Sequence, residues 1–360
     1  MNMTAIKLFL TGMMMTALLT TTSFGAIRGL AVQPLAPGTF ALTWDTKEES
    51  GDLEVQRRIG QGEFELSGTA AADRKQFIDR CPAGLQPGER ISYRLVVKDK
   101  PAGEAWALNS AELLPQGDLE LPVGSAPALN GLSITAPAPW LAEIVEGGVE
   151  GNGHCLAFST SDPDAAATFS LSSRWFIITP RSAYRFSWWV TREAYGTSTI
   201  EGTAYGMTRE KTKSFYEKTA NLYVYPGTSR DEWIGTSSEP HLPRDLRYIY
   251  IVLRGQGSKH PRPIRVDDIS IVDRDLELLL KTNVAQLVNQ SRSSAQRHPD
   301  LGLEQQVKQL AGEIEQRQKA LGAAENQDID AFLDSRADLC ESVRELNRLA
   351  VIFRLAETEQ

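Results

Sequence analysis

The stretch Tyr184-Arg185-Phe186-Ser187-Trp188-Trp189-Val190 packs four aromatic rings into seven residues. In an extended strand, alternation places Tyr184, Phe186, Trp188 and Val190 on one face and Arg185, Ser187 and Trp189 on the other. The first set is apolar and reads as core. Trp189 and Arg185 are then left together, an indole able to stack on the polarised C–H face of a sugar ring beside a side chain able to take up hydroxyls. Trp189 either forms such a platform or is covered by a loop or by the C-terminal segment. Tyr205, Tyr216, Tyr223, Tyr225 and Trp175 are further candidates, with Tyr223 and Tyr225 sharing one face of Leu222-Tyr223-Val224-Tyr225.

Signals for covalent or acid–base chemistry are weak by comparison. There is no Gly-x-Ser-x-Gly elbow, no phosphate loop and no dinucleotide fingerprint. A glycosidase needs two carboxyl groups flanking the scissile bond, but with 46 acidic residues in the chain, finding a pair says nothing. Acidic residues such as Asp162 and Asp164 suit turns, where Asp bonds its own backbone. Cys81, Cys155 and Cys340 lie far apart with no CxxC and are expected as buried free thiols. The four histidines are equally scattered, which argues against a clustered metal site. A net charge of −8 disfavours nucleic acid and anionic membrane as partners. The expectation is a protein that is not an enzyme and requires no cofactor.

The elements that must position these side chains begin after a leader. Lys7 precedes the apolar run Leu8 to Leu19, and Ser23 and Gly25 suit cleavage after Gly25. Residues 1–25 therefore read as a secretory signal peptide, and the protein as exported to the periplasm, the cell surface or beyond. The run is shorter than the about 20 residues a membrane span needs, and no later stretch approaches that length, so no membrane insertion is expected.

Residues 26–115 show short alternating runs, Phe40 to Trp44, Leu53 to Arg57 and Ile91 to Val97, which predict an antiparallel sandwich. Leu42-x-Trp44, Leu53-x-Val55-x-Arg57 and Tyr93-x-Leu95-x-Val97 together resemble a fibronectin type III module. That resemblance implies a core role for Trp44. It also implies a tyrosine corner, in which the Tyr93 phenol bonds back to the backbone near Leu85-Gln86-Pro87-Gly88. Such modules are usually spacers or interaction surfaces. Residues 116–128, rich in Gly and Pro, read as a linker.

In residues 129–273 an ordered set of landmarks appears: Asn130-Gly131-Leu132, Trp140, Gly151 to Phe158, Thr179-Pro180 through Val190, Trp233, Tyr248-x-Tyr250-x-Val252-x-Arg254 and Val266-Asp267-Asp268-Ile269-Ser270-Ile271. The set resembles the jelly-roll carbohydrate-binding modules attached to bacterial xylanases, a galactose-binding-like fold. The resemblance implies a polysaccharide or glycan partner and a groove opposite the inter-sheet core, with Trp189, Arg185, Tyr223, Tyr225 and Tyr205 as ligand-binding residues. It implies a packed role for Trp233. It also implies a structural Ca²⁺ held by Asp267 or Asp268 with carbonyls near Gly151 to Gly153, though Ser133 stands where relatives carry an acid. The alternative for the two aspartates is a strand end facing water.

Beyond Asp273 the apolar period becomes helical: Leu276, Leu280, Val284 and Leu287; Leu303, Val307, Leu310, Ile314 and Leu321; Phe332, Arg336, Cys340, Val343, Leu346, Ala350 and Phe353. Residues 274–360 are expected as three helices, with Arg336 snorkelling from its stripe and Asp328 or Asn326 capping the last helix. They either pack on the sandwich or dock a protein partner. The fold class expected is therefore mainly β, with two antiparallel β-sandwich domains (fibronectin III-like, then jelly roll) followed by an α-helical C-terminal tail. Two functions suit it: a carbohydrate-binding accessory protein, or a structural or adhesive envelope protein that binds other proteins.

Overall fold

The computed structural model describes residues 27–46, 51–82, 84–121, 131–149, 151, 153–162, 164–191, 199–208, 218–222, 228–230, 233–239, 242, 245–256, 263–323 and 328–358. The expected leader lies outside them. The chain is mainly β, with antiparallel sheets followed by helices, as expected.

The first sandwich contains β1 (Ile27–Ala36), β2 (Thr39–Thr46), β3 (Asp52–Ile59), β4 (Glu65–Ala71), β5 (Gln76–Arg80), β6 (Arg90–Val97) and β7 (Lys100–Leu108). A sheet ordered β1-β2-β5 faces one ordered β4-β3-β6-β7. Alternating residues of both sheets fill the space between them, among them Phe40, Leu42, Trp44, Val55, Tyr93 and Leu95. Trp44 is buried, and its indole N–H donates to the Ala72 carbonyl at 3.1 Å. The tyrosine corner is a correction. The buried Tyr93 hydroxyl donates to the Asp79 carboxylate at 2.6 Å instead of to upstream backbone. Asp79 also pairs with Arg57 at 2.8 Å, and this charged acceptor outcompetes a carbonyl for the phenol. The turn near Leu85 is held by Asn109, whose amide donates to the Leu85 and Gln86 carbonyls.

The second sandwich contains β8 (Leu132–Thr135), β9 (Trp140–Glu146), β10 (His154–Thr160), β11 (Ser170–Ser173), β12 (Phe176–Ile177), β13 (Tyr184–Thr191), β14 (Thr199–Thr208), β15 (Lys218–Leu222), β16 (Thr228–Arg230), β17 (Trp233–Ser238), β18 (Leu246–Gln256) and β19 (Ile264–Asp273). One sheet runs β16-β17-β13-β19-β10-β9. The other runs β15-β14-β18-β11-β8, with β12 paired to β18. Tyr184, Phe186 and Trp188 point between the sheets, as their alternation predicts. Leu113 and Leu114, at the end of the segment expected as the first sandwich, and Leu119, in the expected linker, are buried in this second core. Leu113 N–H donates to the Ile271 carbonyl at 2.9 Å, and Ile269 N–H to the Gly117 carbonyl at 2.7 Å. A Cβ on Gly117 would sit 1.7 Å from the Ile269 oxygen, so only glycine fits this approach. Residues 122–130 lie outside the described set.

Among the described residues the tail forms four α-helices, not three: α1 (Arg274–Lys281), α2 (Val284–Arg297), α3 (Glu304–Ala323) and α4 (Ile329–Thr358). The first expected stripe crosses a break at Thr282 and Asn283, where the Asn283 side chain accepts from Gln286 N–H at 3.0 Å and starts a new helix. Asp328 caps α4 by accepting from Asp330 N–H at 3.1 Å. Arg336 does not snorkel. It is fully buried and paired with Asp273 at 2.7 Å. Among the described residues, no helix is long and apolar enough to cross a membrane.

One apolar cluster joins the three parts: Leu35, Ala41 and Ile78 of the first sandwich, Ile177 of the second, and residues of every helix, Leu279 in α1 among them. Polar contacts reinforce it. The Gln33 amide on β1 donates to the Ile177 carbonyl at 2.6 Å and accepts from Ile177 N–H at 2.8 Å. Arg174 donates to the Val32 carbonyl at 2.6 Å. Arg247 reaches Asp334 at 3.3 Å, and Arg181 pairs with Glu341 at 2.9 Å. The helices therefore pack on both sandwiches.

The three cysteines are free. Cys155 and Cys340 are buried as expected, and burial pushes both thiols up to about 11. Cys81 is only half-buried, a partial correction, and burial together with the Asp79 charge pushes it up to about 12.

Candidate functional site

The sheet β15-β14-β18-β11-β8 has an inner and an outer side. Ile200 and Ala204 of β14, Ile249, Ile251 and Leu253 of β18, and Leu171 of β11 belong to the core. Their alternates point outward: Glu201, Thr203 and Tyr205; Tyr250, Val252 and Arg254; Ser170 and Ser172. Register aligns them in rows. Tyr205 lies opposite Tyr250, Thr203 opposite Val252 and Glu201 opposite Arg254. Across the other edge of β18, Ser172 pairs with Val252 and Ser133, and Ser170 with Arg254 and Thr135.

The rows make an aromatic shelf beside a hydroxyl-rich floor. The Tyr205 and Tyr250 rings stack with centroids 5.1 Å apart and planes at 19°. Trp175, in the short turn between β11 and β12, meets Tyr250 at 4.4 Å and 60°. All three rings are half-buried, so each keeps part of its surface to solvent while its neighbours fix its pose. Thr203, Ser172 and Ser170 are half-buried, and Ser133 and Thr135 exposed. Trp175 is held from both sides along the chain: Arg174 before it bonds the Val32 carbonyl, and Ile177 after it is clamped by Gln33. Arg174 is half-buried with no ion-paired carboxylate among the described residues, and desolvation by burial lowers its guanidinium to about 10.

The residues expected at the site divide between the two sheets. Tyr205 is on the shelf. Trp189 and Arg185 lie on the outer side of the opposite sheet. There Trp189 is half-buried beside Trp233, Val149, Cys155 and Val145. Its ring lies so close over Gly235 that a Cβ there would come within 2.6 Å. Trp233 is buried, in this outer cluster and not between the sheets. Arg185 is half-buried near Glu277 of α1 and contributes to holding that carboxyl below its usual range, after Lys281 and Arg274. Tyr223, Tyr225 and Tyr216 lie outside the described residues. Sequence reasoning noted Trp175 and Tyr205 singly. It missed Tyr250, which stood only as a landmark in Tyr248-x-Tyr250-x-Val252-x-Arg254, although that period-two pattern already put Tyr250 and Arg254 on one face.

Asp267 is 4% exposed, and its two oxygens accept Val149 N–H at 2.9 Å and Asp268 N–H at 2.8 Å. Burial pushes its carboxyl up to about 6, against the pull of those two amides. Asp268 is exposed, at a left-handed φ of 46°. Among the described residues no group of three His, Cys, Asp or Glu side chains could hold a metal ion. Calcium takes six to eight oxygens; the Asp267 carboxylate is engaged by two N–H donors, and Glu150 and Asn152, which flank the carbonyls expected to share the ion, lie outside the described residues. No role below depends on the ion.

No protein-family model matches the chain, and no curated protein matches it. Solved structures overlap parts of it. One is the CBM22-1–GH10 portion of Clostridium thermocellum endo-1,4-β-D-xylanase 10B complexed with xylohexaose, at 14% identity over 39% of this chain and 26% of that one, with a TM-score of 0.30. The chain thus spans about a quarter of that protein. The CBM22-1 xylan-binding domain of Paenibacillus barcinonensis Xyn10C overlaps at 9% identity over 40% of this chain and 86% of that one, TM-score 0.29. The tandem CBM22-1–CBM22-2 domain of the same enzyme overlaps at 13% over 71% and 94%, TM-score 0.32. Overlaps of this size leave the functional reading to the residues on the outer face of β14 and β18.

Proposed function

We propose that this chain is an exported, non-catalytic glycan-binding protein whose second sandwich takes a polysaccharide on the outer face of β14, β18 and β11. One observation carries the reading: the Tyr205–Tyr250–Trp175 shelf lies on an outward, half-open face and borders a floor of serine and threonine hydroxyls. Rings stack on the apolar faces of sugars, and hydroxyls exchange hydrogen bonds with their edges. A side-by-side pair plus a tilted third ring suits an extended chain. Tyr223 and Tyr225, which follow β15 in the sequence, are proposed as further contacts. The first sandwich, with its three-plus-four strand order, is proposed as a fibronectin III-like module. The test is retardation of the full-length mature chain in native gels containing soluble polysaccharides. Trp175→Ala is expected to weaken retention about tenfold, the order of one lost stacking contact. Trp189→Ala reads the opposite face separately. Retention of no polysaccharide, or equal retention of the wild type and Trp175→Ala, rejects the reading.

A second reading, an adhesive envelope protein, is supported by two other surfaces. Phe64 lies between Arg58 and Arg94, 4.5 and 4.2 Å from its ring centre, on the first sandwich. Val351, Ile352 and Leu355 are exposed on the last turns of α4 and would suit a protein partner of the tail. Capture of a purified envelope protein, with no polysaccharide retained, would favour it.

A further inference from the structure

Arg254 gives the shelf a second chemical character. It lies four residues beyond Tyr250 on the same face of β18, with its side chain exposed. Its guanidinium carbon is 5.6 Å from the centre of the Tyr205 ring. Among the described residues no carboxylate comes within ion-pair distance of it, although Glu201 is its cross-strand neighbour. Several other surface arginines are ion-paired, Arg181 with Asp338 and Glu341, Arg292 with Glu315, Arg297 with Glu357, while Arg90, set over the Trp106 ring, has no ion pair among the described residues. In a chain of net charge −8, this guanidinium stands at the end of an aromatic shelf with Glu201 in register beside it and no ion pair formed among the described residues.

Resting on the glycan reading above, we propose that the bound polysaccharide carries carboxylates, as uronic acids do, and that Arg254 pairs with one of them. The guanidinium fork matches a planar carboxylate in two parallel N–H···O bonds, geometry that a neutral hydroxyl cannot reproduce. Its place beside Tyr205 puts that pair next to a stacked sugar ring. The hydroxyl of Ser170, in register with Arg254, and that of Thr135 beyond it continue the same row and offer further donors. Tyr205, Tyr250 and Trp175 would hold the neutral faces of the chain, and Arg254 would select its charge.

The experiment compares, on the full-length mature protein, glucuronoxylan and polygalacturonate with the same two polymers after carboxyl reduction to neutral alcohols. Calorimetry of the wild type is expected to show threefold to tenfold tighter binding to at least one acidic polymer than to its reduced form. Arg254→Gln is expected to abolish that difference while keeping the wild-type melting temperature, because the side chain is exposed and, among the described residues, held by no hydrogen bond or ion pair, only by its place over the Tyr205 ring. Equal affinity for acidic and reduced forms in the wild type overturns this proposal and leaves the glycan reading standing. A difference that persists in Arg254→Gln overturns the assignment to Arg254. Binding of none of the four overturns the glycan reading, and this proposal with it.

Discussion

Asp273 and Arg336 meet at 2.7 Å with both side chains 1% exposed, one at the end of β19 and the other in the first third of α4. The same carboxylate caps α1, accepting Asp275 N–H and Leu276 N–H at 3.0 Å, and takes the Tyr184 hydroxyl at 3.2 Å. Removing one partner of a buried pair leaves the other charged and unmatched, which costs about 3–5 kcal/mol. Arg336→Met is therefore expected to lower unfolding free energy by that order in urea titrations. Arg336→Met combined with Asp273→Asn is expected to lose less than the sum of the two single changes, because no charge is then stranded. Additive losses would contradict the coupling.

Gln33 couples the first sandwich to the aromatic shelf proposed to bind glycan. Its two bonds to Ile177 set the strand that follows Trp175. Gln33→Ala leaves the buried Ile177 N–H and C=O without that partner, at about 1–3 kcal/mol. The predicted signature is weaker polysaccharide retention from a side chain outside the binding face, with a melting temperature lowered by only a few degrees. Unchanged retention would make the clamp purely structural.

The boundary of the second sandwich can be tested by truncation. A fragment of residues 129–273 lacks Leu113, Leu114 and Leu119, and each buried leucine contributes about 2–5 kcal/mol. It also strands Asp273 without Arg336. That fragment is expected to lack a cooperative thermal transition in calorimetry, whereas a chain running from residue 27 to the end of α4 melts cooperatively. A sharp transition for 129–273 would show that the leucines add little.

Asp267 makes stability depend on pH in an unusual direction. Its folded carboxyl is raised from the ordinary 3.8 to about 6, so between those values the native state holds a proton that the unfolded state has released. This group therefore favours the fold as pH falls from 7 toward 4 and penalises it as pH rises. The penalty is on the order of 1–3 kcal/mol at neutral pH. Measured as the difference in melting temperature between wild type and Asp267→Asn, the wild type should gain on acidification from pH 7 to pH 5. A constant or shrinking difference would refute the burial argument.

What could be read from the sequence followed its local periods. Alternation in Tyr184–Thr191 assigned both faces correctly, because burial on one side of a strand writes itself into every second residue. The helical stripes were equally plain. The break at Asn283 was hidden because Leu276, Leu280, Val284 and Leu287 keep helical spacing through it. Arg336 looked solvent-bound because its partner lies 63 residues earlier. The shelf escaped for the same reason: Trp175, Tyr205 and Tyr250 come from separate stretches, and only strand register brings their rings together.

The amide of Gln33 ties the second sandwich to its own upstream neighbour, 144 positions earlier in the chain. A gene fusion that transplanted the middle segment alone would carry every ring of the shelf and leave behind the clamp that aims one of them.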